Sequence, residues 1–217
     1  MVKAAFRSLP IALVLLLAGC SSAYYGAMEK MGIAKRDILA ERVEKTREAQ
    51  TEAKQQFADA LQRFLAVTKN DGGDLQKKYD ELNREFQRSE SRAKEVRERI
   101  AAVEDVAEAL FREWQQELSQ YTSASLKADS QRQLDATRRR YDGLLAVMRR
   151  AANRMDPVIA TFRDQVLYLK HNLNARALAQ LDSTNRTLEA DITRLIADME
   201  ASIKDADSFI KELKSKP

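Results

Sequence analysis

From Leu75 to Trp114 the apolar residues of this 217-residue chain keep one rhythm. Leu75, Tyr79, Leu82, Phe86, Ser89, Ala93, Val96, Ile100, Val103, Ala107, Leu110 and Trp114 alternate steps of four and three without a slip, with Ser89 as the single polar lapse. The residues between them are mostly charged, as in Lys94-Glu95 and Arg97-Glu98-Arg99. A mean step of 3.5 residues keeps one narrow face of an α-helix apolar, so the spacing predicts a long heptad helix. About 45 residues at ~1.5 Å each make a rod of nearly 70 Å. Such a rod cannot bury its seam alone and requires partner helices.

The rest of the chain supplies partners. A first helix is expected from Gly32-Ile33 to about Lys69, with Leu39, Val43, Thr46, Gln50, Ala53, Phe57, Ala60, Phe64 and Val67 on its seam. Asn70-Asp71-Gly72-Gly73 ends it, and Asp74 is placed to cap the second helix. Ser119 to Ser125 reads as a turn with Ser123 and Ser125 as capping candidates. A third helix carries Leu126, Leu134, Thr137, Tyr141, Leu144, Leu145, Met148, Ala152 and Met155, and Asp156-Pro157 is expected to end it and start another. The last segment, Pro157 to about Leu213, keeps the period through Ile159, Phe162, Val166, Leu169, Leu173, Ala177, Leu181, Leu188, Ile192, Leu195, Met199, Ile203, Ala206 and Ile210. Breaks are expected near His171-Asn172-Leu173-Asn174 or Ser183-Thr184-Asn185, because these residues favour turns and caps over helix interiors. Three prolines and six glycines leave few interruptions for a chain this long. The expected fold is therefore all-α: an elongated antiparallel coiled-coil bundle of long helices.

Ahead of this body lies a short address tag. Lys3 and Arg7 precede Pro10 and the apolar run Ile11 to Leu17, which is too short to span a bilayer that needs about 20 apolar residues. Leu17-Ala18-Gly19-Cys20 closely resembles the lipobox of bacterial lipoproteins. That resemblance implies cleavage between Gly19 and Cys20, with acyl chains such as palmitate on the cysteine sulfur and the new amine. Cys20 is also the only cysteine, so the mature chain has no thiol for disulfides, redox work or metals. Ser21 and Ser22 follow it in place of the aspartate that tends to retain such lipoproteins in the inner membrane. The expectation is an outer-membrane anchor in a Gram-negative envelope, facing the periplasm. The chain then divides into a signal peptide (1–19), a lipidated cysteine with a short tether (20–31) and a helical coiled-coil domain (32–217). Tyr24 and Tyr25 sit close to the anchor, where their rings suit either the headgroup zone or the helical body.

Two further stretches carry a resemblance. Tyr24-Tyr25-Gly26-Ala27-Met28-Glu29-Lys30-Met31-Gly32-Ile33-Ala34-Lys35-Arg36-Asp37-Ile38-Leu39 and Arg163-Asp164-Gln165-Val166-Leu167-Tyr168-Leu169-Lys170-His171-Asn172-Leu173-Asn174-Ala175 together resemble DUF2959, a family of uncharacterised bacterial envelope lipoproteins. The resemblance covers nearly all of the mature chain. It implies a helical envelope lipoprotein without an established activity, so no functional residue is carried over.

Nothing in the sequence forms a recognisable catalytic motif. There is no Gly-rich phosphate loop, nucleophile elbow or clustered set of metal ligands, and neither a cofactor nor a small-molecule substrate is expected. His171, the only histidine, reads as a cap or surface hydrogen-bonding group at a helix break. The formal charge is +4, and losing Lys3 and Arg7 with the signal leaves +2. Against this near balance one feature stands out: Arg138, Arg139, Arg140, Arg149, Arg150 and Arg154 share the third helix with only Asp142 opposing them. They form either a face paired with acids of another helix, such as Asp191, Asp198, Glu200, Asp205 and Asp207, or a basic stripe that binds an anionic surface. The compartment argues against nucleic acid. The expected role is not enzymatic: scaffolding or adaptor work through helical faces, with an envelope partner or a second copy. Binding or shaping of the membrane surface through the basic stripe is the alternative, and an enzyme with an unfamiliar site comes behind both.

Overall fold

Four long helices follow one another with short reversals between them. The computed structural model describes residues 24–25, 27–28, 31–69 and 74–215, except for the side chains of 175, 176, 178, 179 and 182–184. The helices are α1 (Lys35–Thr68), α2 (Leu75–Glu117), α3 (Ala124–His171) and α4 (Ala175–Ser215). Asp74 caps α2 by accepting from the backbone N–H of Gln76 and Lys77, and Ser123 caps α3 by accepting from that of Leu126. Both caps fall where the sequence places them. A 3-10 turn, Leu118–Gln120, prolongs α2 toward the second reversal.

Each helix packs against the next, and α4 closes the ring against α1. Cross-helix contacts show that neighbours run antiparallel. Lys35 meets Glu113, and Arg92 meets Glu52, between α1 and α2. Arg149 meets Glu104, and Arg163 meets Glu90, between α2 and α3. The result is an up-down-up-down four-helix bundle with one continuous core. Membership in a ring widens each apolar stripe, because every helix faces two neighbours. Val106 and Phe111 of α2 and Phe209 of α4 are buried beside the predicted seams for this reason. At one level Phe162 of α3 meets Phe64 of α1 and Phe86 of α2 edge to face, with centroids 5.8 and 6.2 Å away.

The structure corrects the expected break at Asp156-Pro157. Helix α3 runs through Pro157 without interruption. Proline removes one hydrogen bond to the carbonyl four residues back, here that of Asn153. Asn153 and Pro157 are both exposed, so the bond is lost on the solvent side, while Met155, Val158 and Ile159 hold the helix to the core. The break falls instead at Asn172–Asn174, one of the two places expected. Ser183 to Asn185 is helical, within α4. Leu126 and Leu173, assigned to seams by their spacing, are exposed.

Polar residues inside the core fix the alignment of α1 against α4. Ser202 donates to Gln50 Oε1 at 2.9 Å, and Thr68 and Asn185 hydrogen-bond near the far end of the same interface. A polar contact buried at one level penalises sliding, because a shifted register strands both groups. Gln50 Nε2 is buried without a partner among the described residues. Ser202→Ala alone is expected to cost about 1–3 kcal/mol by leaving Gln50 Oε1 without its donor as well. Gln50→Leu combined with Ser202→Ala is expected to be neutral or stabilising. Urea unfolding midpoints of the two variants check the contrast.

The chain before α1 belongs to the body. Tyr24, Tyr25, Ala27 and Met28 are helical, and the chain reverses at Gly32, whose φ is +80°. Ile33 N–H bonds to Met28 O and Met31 N–H to Ala27 O, a glycine-terminated helix end that turns the chain back into α1. A Cβ added at Gly32 meets no atom within 4 Å, so the glycine serves conformation and not space. Gly32→Ala is expected to cost about 1 kcal/mol. The loss should appear as faster amide exchange at Tyr25, Ala27 and Met28, with the bundle core unaffected.

Candidate interaction surfaces

Gly19 and Cys20, the predicted cleavage and acylation site, lie outside the described residues. Tyr25, five residues after Cys20, is buried at 4% exposure, and its hydroxyl donates to Asp105 Oδ2 of α2 at 2.6 Å. Of the two places open to the paired tyrosines, Tyr25 takes the helical body. Tyr24 stacks edge-on against it and stays 43% exposed.

Burial first, and then the hydrogen bond to the Asp105 carboxylate, hold the Tyr25 phenol well above its ordinary value. A raised folded-state pKa means that the protonated form is favoured by docking. The contribution is therefore complete below the unfolded phenol value of about 10 and is lost as pH climbs toward the folded one. Between these values the N-terminal turn is expected to detach while the bundle remains helical. Tyr24 and Tyr25 fluorescence, isolated in a chain whose other tyrosines are Phe, checks this. Tyr141 is also pushed up, to about 12, by burial and then by the nearby Glu104 charge.

The six predicted arginines share α3, but the structure does not leave them as one free stripe. Arg140 bridges Asp205 at 2.8 Å and Glu212 at 3.2 Å on α4. Arg154 pairs with Asp198 of α4, and Arg149 with Glu104 of α2 at 2.9 Å. Arg138 lies over the Phe111 ring, 5.0 Å from its centroid. Arg139 and Arg150 are exposed. Of the α4 acids considered as partners, Asp198 and Asp205 take that role. Asp191 pairs within its helix with Arg194, Glu200 meets Lys54, and Asp207 meets Arg47. Glu104 and Glu212 are partners that the α3 sequence gives no means of finding. These contacts are partly exposed, so each adds little to stability, and they set three of the arginines against carboxylates of α2 and α4.

The surface that sequence reasoning missed is apolar. Leu167, Tyr168 and Leu173 are 48, 40 and 40% exposed around the α3–α4 reversal. Tyr121 and Leu126 are similarly open at the other end of α3. Heptad spacing assigned Leu126 and Leu173 to the core. Each lies within four residues of a helix end, where flanking helices no longer cover the seam.

His171 is the last residue of α3 and is exposed. Among the described residues no three His, Cys, Asp or Glu side chains are grouped to hold a metal ion. No described helix is long and apolar enough to cross a membrane. Open grooves follow the helix boundaries. One between α1 and α2 is lined by Arg42, Ser91, Lys94, Glu95, Glu98, Arg99 and Ala102. Another on α3 carries Arg149, Arg150, Asn153, Arg154 and Pro157. These carry charged rims, and what they offer chemically is ion pairing and side-chain contact along a helix.

No curated protein and no solved structure matches the chain. A family model does, from Tyr24, whose neighbour docks on α2, to Leu213 in the last turn of α4, and so spans all four helices. The chain belongs to that family, described as a protein of unknown function (DUF2959).

Proposed function

We propose that this protein is a lipid-anchored adaptor or scaffold of the bacterial envelope, held through Cys20 in the outer membrane and facing the periplasm. The anchor rests on Leu17-Ala18-Gly19-Cys20 behind a charged and apolar leader, and the membrane on Ser21 and Ser22. Binding, and not catalysis, is its work. The observation that carries this reading is the exposed group Leu167, Tyr168 and Leu173 at the α3–α4 reversal. Apolar side chains left open at the end of an otherwise charged rod are what a partner protein covers. Tyrosine in particular combines a large contact area with a hydrogen-bonding tip and is favoured at interface centres.

The test is crosslinking in cells from a photo-reactive residue at Tyr168, followed by affinity capture and mass spectrometry. Recovery of one envelope protein, lost in the Leu167→Ser, Leu173→Ser double variant, supports the adaptor reading. Recovery of only the chain itself and lipid sinks it and leaves self-assembly.

A further inference from the structure

Tyr25 joins the bundle close to one of its two ends. Asp105, which receives the Tyr25 hydroxyl, stands about 18 Å along α2 from the end of that helix at Glu117. Lys35 at the start of α1 meets Glu113 near the same end. Trp114 Nε1 donates to Ser130 Oγ at 2.8 Å, which sets the first turn of α3 just beyond it. The chain between Cys20 and Tyr25 has a contour length of at most about 18 Å in any conformation. With Tyr25 docked, Cys20 can therefore come level with the end of α2. The opposite end, where α2 begins at Leu75, is about 45 Å from Asp105 and out of its reach.

The end within reach is also apolar on its outside. Met31, in the reversal before α1, is 73% exposed, and Leu126, in the first turn of α3, is 57% exposed. Tyr121, between α2 and α3, is exposed as well. Apart from Tyr24 beside the tether, the exposed large apolar side chains among the described residues lie at the two ends of the bundle. The flanks between them present polar positions such as Gln55, Lys94 and Asn153. We infer that the bundle stands on this end, with Met31, Tyr121 and Leu126 in the headgroup layer of the bilayer that holds Cys20. The inference rests on acylation of Cys20. The tether is short enough to leave no gap: at full stretch it ends about level with Glu117, so a lipid seated in the membrane draws Tyr121 and Leu126, just past that level, into the headgroups. Apolar and tyrosine side chains are favoured there, whereas a bundle lying flat would set charged helical faces on the lipid. Three side chains are too small a patch to hold the body without the acyl chains, so they orient the molecule and the anchor retains it. The α3–α4 reversal, with Leu167, Tyr168 and Leu173, then points away from the membrane, and the partner of the proposed adaptor meets it there.

The experiment uses the full chain in native membranes. A photo-reactive apolar residue replaces Leu126 at the tip, or Gln55, Lys94, Asn153 or Ala197, exposed positions on the outer faces of the four helices, one at a time. The mass of the N-terminal peptide is read from the same samples. Lipid adducts at Leu126, with none above background at the flank positions, are the expected result. Met31→Ser with Tyr121→Ser should then lower the Leu126 adducts several-fold and leave acylation unchanged. Adducts at any flank position as strong as those at Leu126 mean a lying bundle and overturn the inference. So does an undiminished yield in the double variant, which would leave the apolar side chains without a part in the contact. Only background lipid adducts at Leu126 of an acylated chain overturn it while leaving the anchor intact. A Cys20 that carries no acyl group takes down both.

Discussion

A Cys20→Ser chain is expected to move from the membrane fraction to the soluble fraction almost completely, with its helical circular dichroism unchanged. Two or three acyl chains on one residue hold a protein far more firmly than contacts on its surface. Each buried methylene is worth roughly 0.8 kcal/mol, while a single myristoyl chain alone gives only marginal, reversible binding. The body that remains has no described helix able to cross a bilayer. Three of the six α3 arginines are matched by acids of neighbouring helices. Salt-washed membranes from the variant should therefore contain little of it. Retention at high salt would mean that the body holds the membrane by itself, and the anchor would lose its central place.

Phe162→Ala is expected to destabilise the bundle by about 3–5 kcal/mol, the usual cost of emptying a fully buried aromatic site. Phe162 is 1% exposed and touches Phe64 across the core as well as Phe86 on the neighbouring helix. Its ring thus joins three helices at one level, and no small shift of one helix fills the space left behind. For a domain of this size each kcal/mol moves the midpoint by about 2–4 °C, so a fall of about 10 °C in Tm is expected. Arg97→Ala, which removes an exposed contact to Asp156 on the same pair of helices, is the control and should stay within about 0.5 kcal/mol. A Phe162→Ala loss no larger than the control would show that α1 and α3 do not share a core.

Much of the fold was legible in the sequence because its signals are local and repeated. Leu82, Ala93, Val96, Ile100, Val103 and Ala107 are buried where the α2 rhythm placed them, and the caps at Asp74 and Ser123 form as read. Three things were not legible. Pro157 breaks an isolated helix, but inside a bundle the burial of Met155, Val158 and Ile159 outweighs one lost hydrogen bond on the wet side. The ends of α3 fit the heptad as well as its middle, since periodicity records which face is apolar and not whether a neighbour is there to cover it. The pairing of Arg149 with Glu104 joins residues from separate helices, and only the register of the folded bundle brings them together. The interaction surfaces were the least visible part. Tyr25 read equally well as a membrane residue or a core residue, and the Asp105 that settles its place lies far along the chain.

The uninterrupted passage of α3 through Pro157 has a mechanical consequence. A single continuous helix connects Leu126 to Tyr168, and at ~1.5 Å per residue these two exposed side chains stand about 63 Å apart. Had the proline hinged the helix, that separation would fluctuate with the angle between two shorter arms. As one strut braced on two sides by α2 and α4, it is a caliper with fixed jaws. A partner bound at each end would be kept at a set distance from the other by the packed core between them.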